Sequence, residues 1–302
     1  MNAAAAVSLS VADLPGWSDD DHEAALAAYA ASVSVLPGHW PRPDGRPARA
    51  FFQEAFGLCA SAEGLLTGYY EPELEGSARP GGRFRHPLHA APPDLNPGRP
   101  WHDRAAIEAG DLLAGLELVW LDSPLEAFLA QVQGSVRVRL ADGSVRRFGY
   151  AAKNGQPYAS IGKELIRRGA LAESDASVAA IRAWAAAHPA DLSALLRVNR
   201  SFVFFRLLDL DPALGPIGTV GCPVTPLRSL AVDPDHIPLG APVWVEWQGE
   251  ARLMIAQDTG GAIKGAGRGD IFFGTGAVAG EAAGALKCAG RLTALLPKAR
   301  QP

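Results

Sequence analysis

The sequence has few cysteines and no long apolar run. Its three cysteines, Cys59, Cys222 and Cys288, form no CxxC pair, which argues against a structural zinc site or a dense disulfide framework. No stretch approaches the roughly 18 apolar residues typical of a membrane-spanning helix. No Lys or Arg precedes Arg42, so the positive start of a secretory signal is not seen. We therefore expect either a cytosolic protein or one whose signal has been removed from this chain.

Charge is nearly balanced along the chain. The 302 residues carry a formal net charge of -4, so there is no overall cationic field and nucleic acid is not an expected partner. A hydrophobic content of 48% is ordinary for a packed globular protein. The HPLH segment at 86–89 lies among Pro and Gly residues, which favours a surface loop over a metal site. We expect no metal and no cofactor.

Local patterns predict strands towards both ends of the chain and helices in its middle. A first helix is predicted to be capped around Ser18 and to end at Pro37. Further helices are predicted for ARAFFQEAFGLCA, PLEAFLAQVQG, SIGKELIRRGAL and DASVAAIRAWAAAHP. Strands are predicted for GLLTGYYEPELEGS, ELVWL, SFVFFRLL and several short C-terminal segments. The ADGS segment between two alternating runs predicts a hairpin, and residues 76–100 are predicted to form a loop.

This order of elements favours one domain inserted into another. The outer domain is predicted to comprise residues 1–103, with N-terminal helices, and residues 210–302. The inserted domain is predicted to comprise residues 104–209.

A glycine-rich segment, AQDTGGAIKGAGRGD, places Asp258 and Asp270 near each other in sequence. An aspartic protease needs two DTG turns that share one proton, and this chain has one. A phosphate-binding loop would need a Gly-Lys-Ser/Thr ending, which GAIKGAG lacks. Two carboxylates in one groove would suit acid/base cleavage of a glycosidic bond, whereas an Asp before a glycine turn also commonly caps the backbone. Spacing alone does not decide between these last two interpretations.

Several motifs resemble one known family. LAVDP, IPLGAPVWVEW, AQDTGGAIKG and GDIFFG resemble the three-aspartate (3D) segment of cell-wall-active proteins, with Asp233, Asp258 and Asp270 as the three aspartates. The upstream segments TGYYEPELEGS, AAKNGQPYASIGKELIRRG, AIRAWAAAHP and NRSFVFF resemble, in the same order, the MltA type of membrane-bound lytic murein transglycosylase. The matches extend from about Leu65 to Gly274. The loop between Asp258 and Asp270 departs from the enterobacterial pattern by about one additional residue.

The resemblance implies a mainly β fold. Both chain ends would build a double-psi β-barrel of the barwin-like type, and the inserted, smaller β-rich domain would form the other wall of a glycan groove. The family cleaves the MurNAc–GlcNAc linkage of peptidoglycan without water and leaves a 1,6-anhydro sugar. Asp270 matches the catalytic acid, Asp258 would support it, and Asp233 would be structural.

Candidate sugar contacts follow from the same resemblance, because glycan grooves present aromatic rings and polar side chains. The predicted substrate-binding residues are Tyr69, Tyr70, Glu71, Gln257, Gly260, Gly261, Lys264, Tyr158 and Ser160. Adjacent strand residues face opposite sides, so we expect one of Tyr69 and Tyr70 to meet sugar and the other to enter the core. Capping of a helix by Ser160 is an equal alternative to ligand contact.

A non-catalytic glycan-binding module is the rival interpretation, because related barrels hold polysaccharide without cutting it. Such a module would not need an ionisable Asp270, and the presence of both aspartates favours the enzyme. The expected partner is peptidoglycan and the expected state is a monomer. The expected location is the periplasm, with outer-membrane association through a lipid anchor that this chain does not contain.

Overall fold

The structure, a computed structural model, describes residues 10–96, 98–175 and 177–298. Residues 1–9, 97 and 299–302 of the predicted outer domain and residue 176 of the predicted insert lie outside the described residues. The described chain is mainly β with several helices, as predicted.

The elements follow one another along the chain. The helices are α1 His22–Val33, α2 Ala48–Ala55, α3 Arg104–Ala109, α4 Pro124–Gln133, α5 Ile161–Arg167, α6 Val178–Ala187, α7 Leu192–Leu196 and α8 Ala277–Ala285. The strands are β1 Phe56–Glu71, β2 Glu73–Ser77, β3 His86–His89, β4 Glu117–Leu121, β5 Ser135–Arg139, β6 Val145–Lys153, β7 Val203–Leu208, β8 Ser229–Val232, β9 Pro242–Trp247, β10 Glu250–Asp258, β11 Gly269–Thr275 and β12 Lys287–Pro297. Short 3-10 helices span Val11–Asp13, Trp17–Asp19 and Glu173–Asp175.

The described chain divides into two compact units. The first comprises the described residues within Met1–Tyr69, Ile217–Gly274 and Leu286–Pro302, and the second comprises the described residues within Tyr70–Pro216 and Thr275–Ala285. These bounds differ from the division at 104 and 209, which stays a prediction.

The strands of the first unit neighbour one another in the order β1–β11–β8–β10–β9–β12. β1 also pairs antiparallel with β12, from Phe56 opposite Pro297 to Thr67 opposite Lys287. The core of this unit gathers aromatic side chains from its N-terminal segments against β9. Trp17, for example, packs on Trp244 with ring centroids 5.2 Å apart.

The second unit contains a six-stranded sheet in the order β3–β4–β2–β5–β6–β7. The ADGS hairpin is confirmed, because β5 and β6 pair from Ser135 opposite Gly149 to Arg139 opposite Val145. The helix α4 is also confirmed. Its cap is Ser123, whose side chain accepts a hydrogen bond from the Glu126 amide.

Two local predictions were wrong in part. Helix α1 begins after Asp21, which accepts from the Ala24 amide at 3.0 Å, because the 3-10 helix Trp17–Asp19 buries Trp17 before α1 can begin. The predicted helix over ARAFFQEAFGLCA ends at Ala55, where pairing with the distant β12 draws the chain into β1. These choices depend on partners far along the sequence.

Two further elements were missed. HPLH is not a loop but the edge strand β3, where Leu88 opposite Val119 is buried, and an edge position tolerates Pro87. The helix α8 was missed because its AVAGEAAGA sequence has no apolar periodicity. No described helix combines the length and apolar character needed to cross a bilayer.

Candidate active site

Asp258 and Asp270 flank the same residue of β8. Asp258 pairs with Ala231 on one side, and Asp270 pairs with Ala231 on the other. Pairing partners project to the same face of a sheet, and two strand spacings separate their backbones by roughly 9–10 Å. The two carboxyl groups therefore face one side of the sheet without sharing a proton, which does not fit an aspartic protease.

A register shift in β10 brings Asp258 to this position. The pairing of β10 with β8 is irregular between Ala256 and Asp258, and without the shift Gln257 would lie opposite Ala231. Bulges of this kind re-aim side chains and are frequent next to active sites. The shift therefore decides which side chain joins Asp270.

Asp258 is surrounded by hydrogen-bond donors. Oδ1 accepts from the amide and the hydroxyl of Thr219 at 3.0 and 2.9 Å and from the Thr259 amide at 2.9 Å. Oδ2 accepts from the Tyr69 hydroxyl at 2.9 Å. Burial raises the pKa of Asp258 above its ordinary value, and these donors offset part of that rise. With both oxygens engaged as acceptors, Asp258 suits a fixed negative charge better than a proton donor.

Asp270 has a sparser environment. Its Oδ1 accepts a hydrogen bond from the Thr67 hydroxyl. Burial raises the pKa of Asp270 to about 6, against the Thr67 hydrogen bond and the charge of Arg268, which lower it, and with the help of the Asp258 charge. A carboxyl group with such a pKa is partly protonated near neutrality, as a general acid requires.

Tyr69 lies between Asp258 and the core of the first unit. Its ring packs on Phe272 with centroids 5.1 Å apart, and its hydroxyl is bonded to Asp258. Burial, followed by the nearby Asp258 charge, raises the pKa of Tyr69 well above its usual value. Tyr69, predicted to meet substrate, is thus placed as a neutral donor to the aspartate.

Two close approaches explain the glycines of the loop before Asp270. A Cβ on Gly267 would lie 2.2 Å from the Glu63 carbonyl oxygen, and one on Gly64 would lie 2.3 Å from the Gly267 carbonyl oxygen. Any side chain at either position would push the loop away from β1. The loop is held again where Asp233 accepts from the Gly265 amide at 2.8 Å and pairs with Lys264 at 3.0 Å.

The other predicted residues of the first unit take different positions. Gln257 is fully buried and its amide donates to the Ala28 carbonyl at 2.7 Å, while Ser229 donates to its side-chain oxygen. The prediction that Gln257 contacts substrate is therefore wrong, because its polar atoms serve the core. The Lys264 side chain is 63% exposed beside Asp233. Gly260 is half-buried and Gly261 is exposed in the same loop.

Glu71, also predicted to contact substrate, is completely buried in the second unit. Arg137 donates to Oε2 at 3.0 Å, Thr275 donates to the same oxygen at 2.9 Å, and Arg147 forms an ion pair with Oε1 at 3.0 Å. The prediction is wrong for a physical reason: this carboxylate neutralises two arginines that lie directly opposite each other on β5 and β6.

Tyr70 lines a shallow cavity of about 370 Å³ in the second unit, together with Ser177, Arg182 and the α8 glycines. Its ring lies so close to α8 that a Cβ on Gly280 would be 2.7 Å from it. Tyr158 is 39% exposed. The Ser160 hydroxyl caps α5 by accepting from the Lys163 amide at 3.3 Å.

Thr67 and Thr219 are site residues that sequence reasoning missed. Thr67 could have been found, because residues two apart on a strand share a face and Tyr69 was already a candidate. Thr219 lies outside regular strands and carried no signal. Within the described ranges, no cluster of three or more His, Cys, Asp or Glu side chains could hold a metal ion.

The fold and site thus define a β-rich protein with a paired-aspartate centre, and comparison with known proteins identifies its family. The MltA specific insert domain matches residues 65–206, and the 3D domain matches residues 228–296. The membrane-bound lytic murein transglycosylase A of Vibrio cholerae is 37% identical over 243 residues, which cover 76% of this chain and 64% of that protein. The chain thus spans just under two thirds of that curated relative.

Solved structures agree with this result. A membrane-bound lytic murein transglycosylase from Agrobacterium tumefaciens is 33% identical with a TM-score of 0.83, over 96% of this chain and 97% of that one. Escherichia coli MltA with bound chitohexaose is 31% identical with a TM-score of 0.76, over 97% of this chain and 92% of that one. The chain belongs to the MltA family of membrane-bound lytic murein transglycosylases.

Proposed function

We propose that the protein is a lytic transglycosylase that cleaves the β-1,4 bond between MurNAc and GlcNAc in peptidoglycan. The reaction uses no water and leaves a 1,6-anhydroMurNAc end. The proposal depends mainly on one observation: Asp270 has a pKa of about 6 and lies near Asp258, whose two oxygens already accept hydrogen bonds. The names of the relatives and the chitohexaose in the Escherichia coli structure support a glycan substrate.

Asp270 acts first as an acid. Its proton passes to the glycosidic oxygen as the bond from the anomeric carbon to that oxygen breaks. The resulting carboxylate then accepts the proton of the sugar's own C6 hydroxyl as the new bond from O6 to the anomeric carbon forms. Because the attacking oxygen belongs to the same sugar, no second nucleophilic carboxylate is needed. Turnover should fall as the pH rises through about 6, where Asp270 loses its proton.

Asp258 supports this cycle without exchanging a proton. Its negative charge raises the pKa of Asp270 and would stabilise positive charge that develops on the sugar ring. Tyr70, Tyr158, Gly260, Gly261 and Lys264 remain proposed substrate contacts. Ser160 is a weaker candidate because its hydroxyl already caps a helix.

We propose further that the first unit is a double-psi β-barrel built by both chain ends, with a β-rich insert between them. The strand order supports closure, because β1 neighbours β11 and also pairs with β12, at the two ends of the order. The insert-domain match over residues 65–206 supports the insertion.

The proposed place of action is the periplasm, where the polymer lies, and the proposed functional state is a monomer. We propose association with the outer membrane through a lipid anchor. The relatives' description as membrane-bound supports this proposal.

Digestion of purified peptidoglycan tests the activity. Mass spectrometry of the released fragments should show anhydro ends, one water lighter than the products of a lysozyme. Asp270→Asn keeps the shape but cannot donate the proton, so turnover should fall by about 10² to 10⁴ while glycan binding persists. The matched control is Asp142→Asn, in the exposed turn between β5 and β6, which should retain full activity.

Other outcomes assign other functions. Fragments that carry the additional water would indicate a hydrolase with a second catalytic carboxylate. Binding without any fragments from the wild-type protein would indicate a glycan-binding module. Full activity of Asp270→Asn would place the chemistry elsewhere.

A further inference from the structure

The two oxygens of Asp270 have different surroundings. Oδ1 accepts from the Thr67 hydroxyl, whereas Oδ2 has no hydrogen-bond partner among residues 10–96, 98–175 and 177–298. A protonated carboxyl group carries its hydrogen on one oxygen. The asymmetry therefore raises the question of which oxygen exchanges the proton.

Arg268 decides how the Thr67 hydroxyl is oriented. Its Nη2 lies 2.7 Å from Thr67 Oγ1, and a guanidinium group can only donate, so Thr67 must accept there. Arg268 is itself fixed, because Nη1 donates to the carbonyls of Leu65 and Gly269. The hydroxyl has one hydrogen, and in the described chain Asp270 Oδ1 is the acceptor it meets.

We propose that Thr67 and Arg268 are positioning residues that cap Oδ1 of Asp270 and hold the exchangeable proton on Oδ2. A proton on Oδ1 would make Thr67 Oγ1 accept from both Arg268 and Asp270, and the hydroxyl hydrogen would lose its acceptor. Oδ2 is then the oxygen that protonates the glycosidic oxygen and later accepts the proton of the C6 hydroxyl. The carboxyl group ends the cycle with the proton it began with. This inference rests on the proposed function.

The same contacts set the direction of a measurable shift. The Thr67 hydrogen bond and the positive charge of Arg268 both lower the pKa of Asp270, against the larger effect of burial. Removing either contribution should raise that pKa. Because turnover needs the protonated form, the loss of activity on the basic side should move to higher pH.

Steady-state kinetics on soluble peptidoglycan fragments, measured across pH, test the proposal with Thr67→Val, Thr67→Ser and Arg268→Gln. Thr67→Val keeps the shape and removes the hydroxyl, so kcat should fall roughly 10- to 100-fold through lost alignment, with a smaller change in KM. The pH at which its activity falls on the basic side should be higher than in the wild type. Thr67→Ser should return both kcat and this pH to the wild-type values. Arg268→Gln should shift this pH in the same direction as Thr67→Val.

Thr293→Val is the matched control. It removes a hydroxyl that is bonded at 3.0 Å to Ser61, on the same strand as Thr67, and should leave the pH profile unchanged. The proposal would be overturned if Thr67→Val lost activity at the same basic pH as the wild type. It would also be overturned if Thr67→Ser lowered kcat as much as Thr67→Val.

Carboxyl NMR of the substrate-free protein separates this inference from the proposed function. The Asp270 resonance should titrate at higher pH in Thr67→Val and return in Thr67→Ser. If it does so in a protein that cleaves no glycan, the cap on Oδ1 stands and the proposed reaction fails. An unshifted titration overturns the cap even if the protein is a transglycosylase. Arg268→Gln gives the same readout if Thr67→Val does not fold.

Discussion

Asp270 in the first unit and Glu71 in the second are both carboxylates beside arginine, but they meet it in different ways. Glu71 contacts Arg137 and Arg147 directly, each at 3.0 Å. Asp270 is linked to Arg268 only through the hydroxyl of Thr67, which lies 2.7 Å from the guanidinium. One carboxylate forms direct ion pairs, and the other is separated from its cation by one hydroxyl group, which bonds to both.

The difference shows how the same residue types can produce a carboxylate that stabilises the fold, as at Glu71, or one that can exchange a proton, as proposed for Asp270. Burial raises the pKa of Glu71, and the direct pairs with Arg147 and Arg137 lower it again in part. The pairs also fix the segments around the carboxylate, here β5, β6 and the 211–215 segment, whose carbonyls receive further arginine donors. An interposed hydroxyl orients the group and leaves it able to hold a proton. Sequence motifs contain Glu71 and Asp270 alike, and the distance to the cation distinguishes them.

The largest expected effect comes from removing the structural carboxylate. Glu71→Ala leaves the buried Arg147 and the half-buried Arg137 facing each other without their carboxylate, so the free energy of unfolding should fall by about 3–5 kcal/mol. Denaturant unfolding measures this loss. The control is Glu73→Ala on β2, the next strand along the chain, which removes a more exposed pair with Arg139 and should cost less than about 1 kcal/mol. Equal losses of stability in the two variants would show that the buried pairs of Glu71 stabilise the fold no more than the exposed pair of Glu73.

Replacing Asp270 should change the free energy of unfolding in the opposite direction. The folded pKa of Asp270, about 6, lies above the ordinary value of 3.8, so its contribution to stability is present below pH 4 and is lost as the pH rises to about 6. At pH 7 Asp270→Asn should therefore be more stable than the wild type by about 1–3 kcal/mol. At pH 4 the two should differ little. Unfolding curves at both pH values check this, and a destabilised Asp270→Asn at pH 7 would contradict it.

A smaller effect is expected at Tyr69. Tyr69→Phe keeps the ring on Phe272 but removes the donor to Oδ2 of Asp258, which should cost about 1–2 kcal/mol of stability. Tyr150→Phe is the control, since Tyr150 is 47% exposed, and its loss should stay within about 0.5 kcal/mol. Thermal unfolding ranks the two variants, and similar values would mean that the Asp258 contact contributes nothing to the fold.

The sequence predicted well where short-range chemistry decides the structure. The extent of α4, the β5–β6 hairpin and the strand character of β4 follow from neighbouring residues. Prediction failed where a distant partner decides: Phe56 joins β12, Gln257 turns into the core, and Glu71 meets arginines that stand far along the chain. For the site, motifs pointed to both aspartates, and the shift in β10 that aligns them has no local signal.

The pairing of both aspartates with Ala231 also determines which changes in loop length the site can tolerate. Because both aspartates are registered on one short strand, their separation is fixed by the sheet and not by the length of the loop between them. Insertions among residues 259–262 would lengthen the connection and leave the carboxylates in place. The additional residue suggested by the sequence in this loop is thus compatible with the same placement of both carboxylates.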